Sequence, residues 1–227
     1  MLKSILKKIL FCPPITRRLV KWSLILHNNS YHLCSMLSTA LEPGGIHPKH
    51  RLMKYHDWFL RHIDREWTVL DVGCGNGALT YDLAGKAKRV IGIDINSNNI
   101  NRARQDFKRE NITYIAGDAT TFDFKEKVDI IVLSNVLEHI QNRVDFLKKL
   151  SKLSDKFLIR VPMFNRDWIT LYKKELGVEW RLDKTHYVEY TLESFTKELK
   201  EAGLSIIKYD VKFGEIYSIC KVRENNE

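Results

Sequence analysis

The chain has 227 residues, 44% hydrophobic and 29% charged, which is the make-up of a soluble globular protein with one full core and room for an appendage. No run approaches the ~20 apolar residues of a membrane span, and the cysteines Cys12, Cys34, Cys74 and Cys220 contain no Cys-x-x-Cys pair, so they read as reduced thiols in a cytoplasmic protein. The net charge of +9 is uneven: residues 1–65 hold eleven Lys/Arg against three Asp/Glu, and the remainder holds 26 against 25, so a long nucleic-acid footprint across the surface is not expected.

Met1–Phe11 places Leu2, Ile5, Leu6, Ile9 and Leu10 on one helical face and Lys3, Lys7 and Lys8 on the other. Pro13-Pro14 is expected to stop this helix, which resumes over Ile15–Leu26 with Arg17, Arg18, Lys21 and Trp22. Two readings stand: residues 1–26 lie on the inner face of an anionic membrane as a peripheral contact, or they pack as a lid or dimer element. Residues 27–47 read as irregular, with Glu42-Pro43-Gly44-Gly45 a turn or linker. Pro48–Ile63 reads as a helix opened by its proline, and Tyr55 and His50 on it are candidates to reach a pocket. Six of the eight histidines lie between His27 and His62, at spacings that converge on no metal.

Thr68–Val72 is a short apolar run, rich in β-branched residues, that ends in Asp71-Val72 and runs into Gly73, Gly75 and Gly77. A helical pattern begins at Ala78, so the stretch reads as strand, tight loop and helix. Such glycines let a ligand lie against bare peptide, and the helix start offers N–H groups to something polar or anionic. Lys88–Asp94 is a second strand with an acid at its tip, 17 residues past Gly77, where a carboxylate can accept both hydroxyls of a ribose. Ile112–Ala116 followed by Gly117-Asp118-Ala119 is a third strand, and Val128–Leu133 a fourth that ends at Ser134-Asn135. Asn96–Arg109 reads as the helix after the second strand.

Taken together, VLDVGCGNG, IGIDI, AGDA and VDIIVLSNVLEHI, in that order over residues 66 to 160, resemble the class I S-adenosylmethionine-dependent methyltransferases. The loop has the family's Gly-x-Gly-x-Gly spacing and not the Gly-x-Gly-x-x-Gly of nicotinamide enzymes. The resemblance implies an α/β fold, a Rossmann-like seven-stranded mostly parallel sheet with helices on both faces and a closing antiparallel β-hairpin. It implies S-adenosyl-L-methionine as cofactor: Asp71 and the Gly73, Cys74, Gly75, Gly77 loop at its methionine end, Asp94 and Ile95 at the ribose, Asp118 and Ala119 at the adenine, and Ser134 and Asn135 on the pocket floor. For Asp118 in particular, a plain turn or cap role competes with adenine binding.

Asn135, Glu138 and His139 share one face if the segment is helical. They orient and cap that helix, or present ligands to a divalent ion with His186 as a further ligand. Ubiquinone-pathway and small-RNA 2′-O-methyltransferases are similar here, with Glu-x-x-Glu-His where this chain has Asn135-x-x-Glu138-His139; the lost carboxylate argues against a metal, and none is expected.

Lys156–Pro162 is the fifth strand. The aromatic-rich insertion 163–190 follows, in the place where open α/β sheets bind their ligands. Its Asp183-x-x-His186-x-x-x-Tyr190-Thr191 segment resembles ubiquinone-type and related small-molecule methyltransferases. Thr191–Ala202 is a helix capped by Thr191 and ended by Gly203, and Leu204–Lys212 with Glu215–Arg223 forms the closing hairpin. The expected organisation is a basic N-terminal helical segment, 1–47, and a methyltransferase domain, 48–227.

A hydroxyl acceptor must lose its proton at or before attack, and a histidine titrates in the right range. His186 is the first candidate for that base and His139 the second. The expected activity is O-methylation of a small or lipid-linked acceptor, a quinone precursor or glycan intermediate. RNA methylation is the first rival and a non-catalytic S-adenosylmethionine-binding protein the second; nucleic acid is not expected as a partner.

Overall fold

Strand β1 (Thr68–Val72) is the centre of the sheet because four of its five residues are buried on both faces, the pattern of a strand covered on each side. The computed structural model describes residues 12–42 and 46–223. Beside β1 lie β2 (Arg89–Asp94) and β3 (Ile112–Ala116) on one side, and β4 (Ile130–Ser134) and β5 (Lys156–Pro162) on the other. The order is β3-β2-β1-β4-β5-β7-β6. The first five are parallel, while β7 (Glu215–Val222) runs antiparallel to both β5 and β6 (Leu204–Lys212). The order reverses between β1 and β4, the switch point at which open α/β sheets take their ligands.

The chain separates into two units. One comprises Lys54–Arg166 and Thr185–Glu227, and the other Met1–Met53 with Asp167–Lys184. The core of the first is drawn from Leu70, Ile93, Ile131, Leu133, Phe157 and Ile159 of the sheet, packed with Phe146, Leu150, Phe195 and Leu199. These last four come from α6 (Arg143–Leu150) and α8 (Leu192–Glu201). Thr191 caps α8 by a reciprocal bond pair with Ser194, as the sequence suggests, and Gly203 follows at φ +79°. The same unit contains α3 (Tyr55–Arg61), α4 (Ala78–Ala84) and α5 (Ser97–Asp106).

The second unit contains α1 (Pro13–Leu41), α2 (Lys49–Met53) and α7 (Trp168–Glu175). Leu24, Leu176 and Val178 form its small core, with Val20, Ile169 and Tyr172 against them.

Four expectations are corrected. Residues 27–41 are helical, not irregular: no glycine or proline interrupts them, and the Ser38 and Thr39 hydroxyls donate back to the Ser35 carbonyl at 3.0 and 2.9 Å, so these polar side chains are satisfied on the helix itself. The helix expected over Ile15–Leu26 begins earlier, because Pro13 and Pro14 occupy its first turn, where a missing N–H costs nothing; the Met1–Phe11 helix, and its expected stop at these prolines, lie outside the described residues. Pro48–Ile63 is two short helices, because Lys54 takes a left-handed conformation (φ +48°) between them. Asn135–His139 is also not one helical face: Asn135 is left-handed (φ +57°) and only Leu137–His139 forms a 3-10 turn.

Candidate functional site

Two clusters of polar side chains occupy the carboxyl ends of the strands in the larger unit. The first is built by β1, β2 and β3. Asp71 is 1% exposed, and its Oδ2 accepts the Thr80 hydroxyl at 2.6 Å. Burial pushes its carboxyl up from 3.8 to about 7, with Asp94 adding to the rise and Thr80 opposing it. Gly73, Gly75 and Gly77 all have left-handed φ, at +67°, +55° and +86°. The N–H groups of Gly73 and Cys74 both donate to the Ile93 carbonyl, at 2.8 and 3.0 Å, which pins the loop to β2. A Cβ on Gly73 would stand 2.6 Å from a Val136 methyl and one on Gly77 2.6 Å from the Tyr114 hydroxyl, whereas one on Gly75 would meet nothing within 4 Å. Packing therefore requires Gly73 and Gly77 to be bare, while Gly75 faces open space. Cys74 is buried.

Asp94 closes this cluster. Its Oδ2 accepts the Gly75 N–H at 2.9 Å and its Oδ1 the Asn96 N–H at 2.8 Å. The Asn99 amide also reaches Oδ1, at 3.4 Å; a carboxylate has about four acceptor positions, so one remains, and a second hydroxyl would take the place of that long Asn99 bond. Ile95 beside it is 74% exposed. Asp118 accepts the Thr120 N–H and hydroxyl on one oxygen, at 2.8 and 2.7 Å, which is the turn role weighed for it above. The Ala119 carbonyl receives Lys149 Nζ at 3.2 Å.

The second cluster is built by β4, β5, β7 and residues 185–189. Arg160 is its buried hub: it makes a two-pronged pair with Glu215, at 2.5 and 2.8 Å, and donates to Ser134 Oγ at 3.2 Å. Its guanidinium lies 3.9 Å from the Tyr55 ring centre. The Asn135 amide reaches the same Glu215 at 3.4 Å, and Asn135 Oδ1 is buried without a hydrogen-bond partner. Glu138 is fully buried and neither of its carboxylate oxygens has a hydrogen-bond partner. Burial pushes it up to about 8, against the opposing pull of the Arg160 charge. Its carbonyl accepts the Tyr187 N–H at 2.7 Å, which draws the 185–189 segment onto this turn.

His186 is buried, with Nδ1 2.9 Å from a Glu189 oxygen, and the other Glu189 oxygen pairs with Arg166. An ionised carboxylate only accepts, so Nδ1 is the donor, and in the neutral ring Nε2 then carries the lone pair. His139 is exposed, with Nδ1 2.9 Å from the Thr185 hydroxyl and its ring centre 4.6 Å from that of His186. Glu138, His139 and His186 offer ligand atoms within 4.8 Å of one another.

The sequence thus points to His139 and His186, and the fold brings them together, with His139 also bonded to Thr185, 46 residues further along the chain. Sequence reasoning missed Thr80, Arg160, Glu215 and Glu189. An Arg inside the apolar run Phe-Leu-Ile-Arg-Val-Pro, and a Glu opening the last strand, were signals of a buried ion pair.

Residues 69–155 match the model of a methyltransferase domain. A ubiquinone biosynthesis O-methyltransferase from Bradyrhizobium diazoefficiens is 32% identical over 117 residues, half of this chain and 46% of that protein. One from Rhodopseudomonas palustris is 27% identical over 175 residues, 69% of each. The chain therefore spans between about half and two thirds of the length of these relatives. Among solved structures, magnesium protoporphyrin IX methyltransferase from Synechocystis, with bound S-adenosylhomocysteine, superposes with a TM-score of 0.61 at 17% identity, over 98% of this chain and all of that one. The N-methyltransferase NodS from Bradyrhizobium japonicum gives 0.58 at 20% identity, over 76% and 87%. Residues 69–155 thus carry a methyltransferase domain, set in the expected seven-stranded sheet with its closing hairpin.

Proposed function

We propose that the chain transfers the methyl group of S-adenosylmethionine to an oxygen of a small or lipid-linked acceptor. The observation that carries the choice of oxygen is the His186–Glu189 pair. A neutral amine already presents a lone pair, whereas a hydroxyl must be stripped of its proton, and a buried imidazole oriented by a carboxylate is suited to that task. In this reading Asp94 receives the ribose hydroxyls, Asp71 faces the charged methionine end, Ile95 and Asp118-Ala119 bound the adenine, and Ser134 and Asn135 line the floor. The open space beside Gly75 suits a cofactor laid on bare peptide. The cofactor supplies an activated methyl on sulfur; the chain aligns nucleophile and methyl, and removes the proton.

The test is transfer of radiolabelled methyl from S-adenosylmethionine into a cell extract, separated into lipid, RNA and small polar fractions, with Asp71→Ala as the inactive control. Label in the lipid or small polar fraction supports the reading, and His186→Ala should then cost about 10²- to 10⁴-fold in kcat. Label confined to RNA would replace it with RNA methylation. No label with cofactor still bound would leave a binding protein.

A second reading rests on a different observation, the buried Glu138 carboxylate with neither oxygen satisfied. Glu138, His139 and His186 would hold a divalent cation, with Asn135 at the sequence position of the missing fourth ligand, a second carboxylate. Such an ion lowers the pKa of a bound hydroxyl. Loss of transfer on EDTA treatment, restored by adding back a divalent ion, would favour this arrangement over a metal-independent His186 base; transfer indifferent to EDTA would eliminate it.

A further inference from the structure

Helix α1 has two apolar faces and only one of them is packed. On the packed face, Val20 and Leu24 join the small core with α7, and the Asn28 amide donates to the Glu179 carbonyl at 2.7 Å. On the opposite face stand Ile15, Leu19, Trp22, Leu26, Leu33 and Leu37, between 38% and 72% exposed. At about 100° per residue these six fall within an arc of roughly 60°, and at ~1.5 Å per residue they run for about 33 Å. A continuous stripe of that size is more than scattered surface apolarity.

Charge identifies what covers it. Helix α1 holds Arg17, Arg18 and Lys21 and no acidic residue, and the first acid in the whole chain is Glu42. Arg18 flanks the stripe directly, and its long side chain can keep its charge at a headgroup while the stem lies along apolar surface. Trp22, 72% exposed, is a residue type favoured at a lipid–water boundary. A second copy laid stripe to stripe would bring cations together with no acid on either helix to pair them. No helix among the described residues is long and apolar enough to cross a membrane. We propose that this face of α1 lies flat on an anionic lipid bilayer, apolar stripe down, with Arg18 at its edge against the headgroups.

The experiment is flotation of the full chain with vesicles of phosphatidylcholine alone or mixed with phosphatidylglycerol. The chain should float with the mixed vesicles only, and less as salt is raised. Leu19→Asp combined with Leu26→Asp should lower that partition about tenfold or more, and Arg18→Gln should weaken its salt dependence. Far-UV melting and S-adenosylhomocysteine binding of each variant report whether it folds. Vesicle binding that survives the Asp pair in a folded protein would overturn the proposal. So would absence of binding by the unaltered chain; a dimer at sedimentation equilibrium that the Asp pair dissolves would then assign the stripe to a second copy.

Discussion

The β1–β3 end of the sheet and the β4–β5–β7 end carry polar groups of the same kinds, but they are assembled over different distances along the chain. In the first, Asp71 meets Thr80 nine residues on, Asp94 meets the Gly75 N–H across 19, and Asp118 meets Thr120 across two. In the second, Arg160 meets Glu215 across 55 residues, Asn135 meets the same carboxylate across 80, and Thr185 meets His139 across 46. Short-range polar sites are fixed by one strand–loop–helix unit and survive as a contiguous motif. Long-range ones exist only once the hairpin and the 185–189 segment have docked, so their geometry has no local signature.

The largest effect that would break this comparison is at the long-range end. Arg160→Met leaves Glu215 buried and unpaired, and should destabilise the fold by about 3–5 kcal/mol, read as the midpoint shift in urea. Arg160→Met with Glu215→Gln should recover most of that loss. If the single variant costs no more than an exposed ion pair, the long-range cluster is not held by its buried ions.

At the short-range end the expected loss is in binding. Asp94→Ala removes charge-assisted hydrogen bonds and should weaken S-adenosylhomocysteine by about 1.5–3 kcal/mol, measured by calorimetry. An unchanged affinity would remove Asp94 from the ribose. Gly75→Ala is a smaller and sharper probe, since its cost is that of a left-handed alanine alone, about 1–2 kcal/mol of stability, with open space around the new methyl. Its cofactor affinity should fall as well, because the methyl enters the space assigned to the ligand. A variant that loses stability but keeps affinity would place the cofactor elsewhere.

The same contrast explains what was legible. Strand β1, the three glycines and the acids at positions 71, 94 and 118 could be read because local chemistry sets them: an apolar run, left-handed loop positions and strand tips. The hairpin was legible from its alternation around Phe213-Gly214. The left-handed turns at Lys54 and Asn135 were not, since neither residue is glycine and each conformation is imposed by the surroundings. The continuation of α1 through Leu41 was obscured by Asn28, Asn29, Ser30 and Ser35, polar residues that read as a loop until their bonds are seen. Arg160 and Glu215 each looked like an interruption in a strand, and only their pairing makes them a hub.

Asp71 allows the finest test of the short-range end, because its protonation couples to both folding and ligand. Its carboxyl is raised from 3.8 to about 7 by burial, so between those values the folded chain holds a proton that the unfolded chain has lost. The contribution of this group to stability therefore declines as pH rises through that window, and Asp71→Asn should remove that part of the slope. A cationic methionine end beside Asp71 favours its ionised form, so cofactor binding below pH 7 should release a proton and affinity should drop about tenfold per pH unit there. Calorimetric titrations at pH 6 in buffers of different ionisation heat should detect that proton in the unaltered chain and not in Asp71→Asn. Heats that do not depend on the buffer would mean that the charged end of the cofactor lies away from Asp71, and the loop would then have to hold it by backbone N–H groups alone.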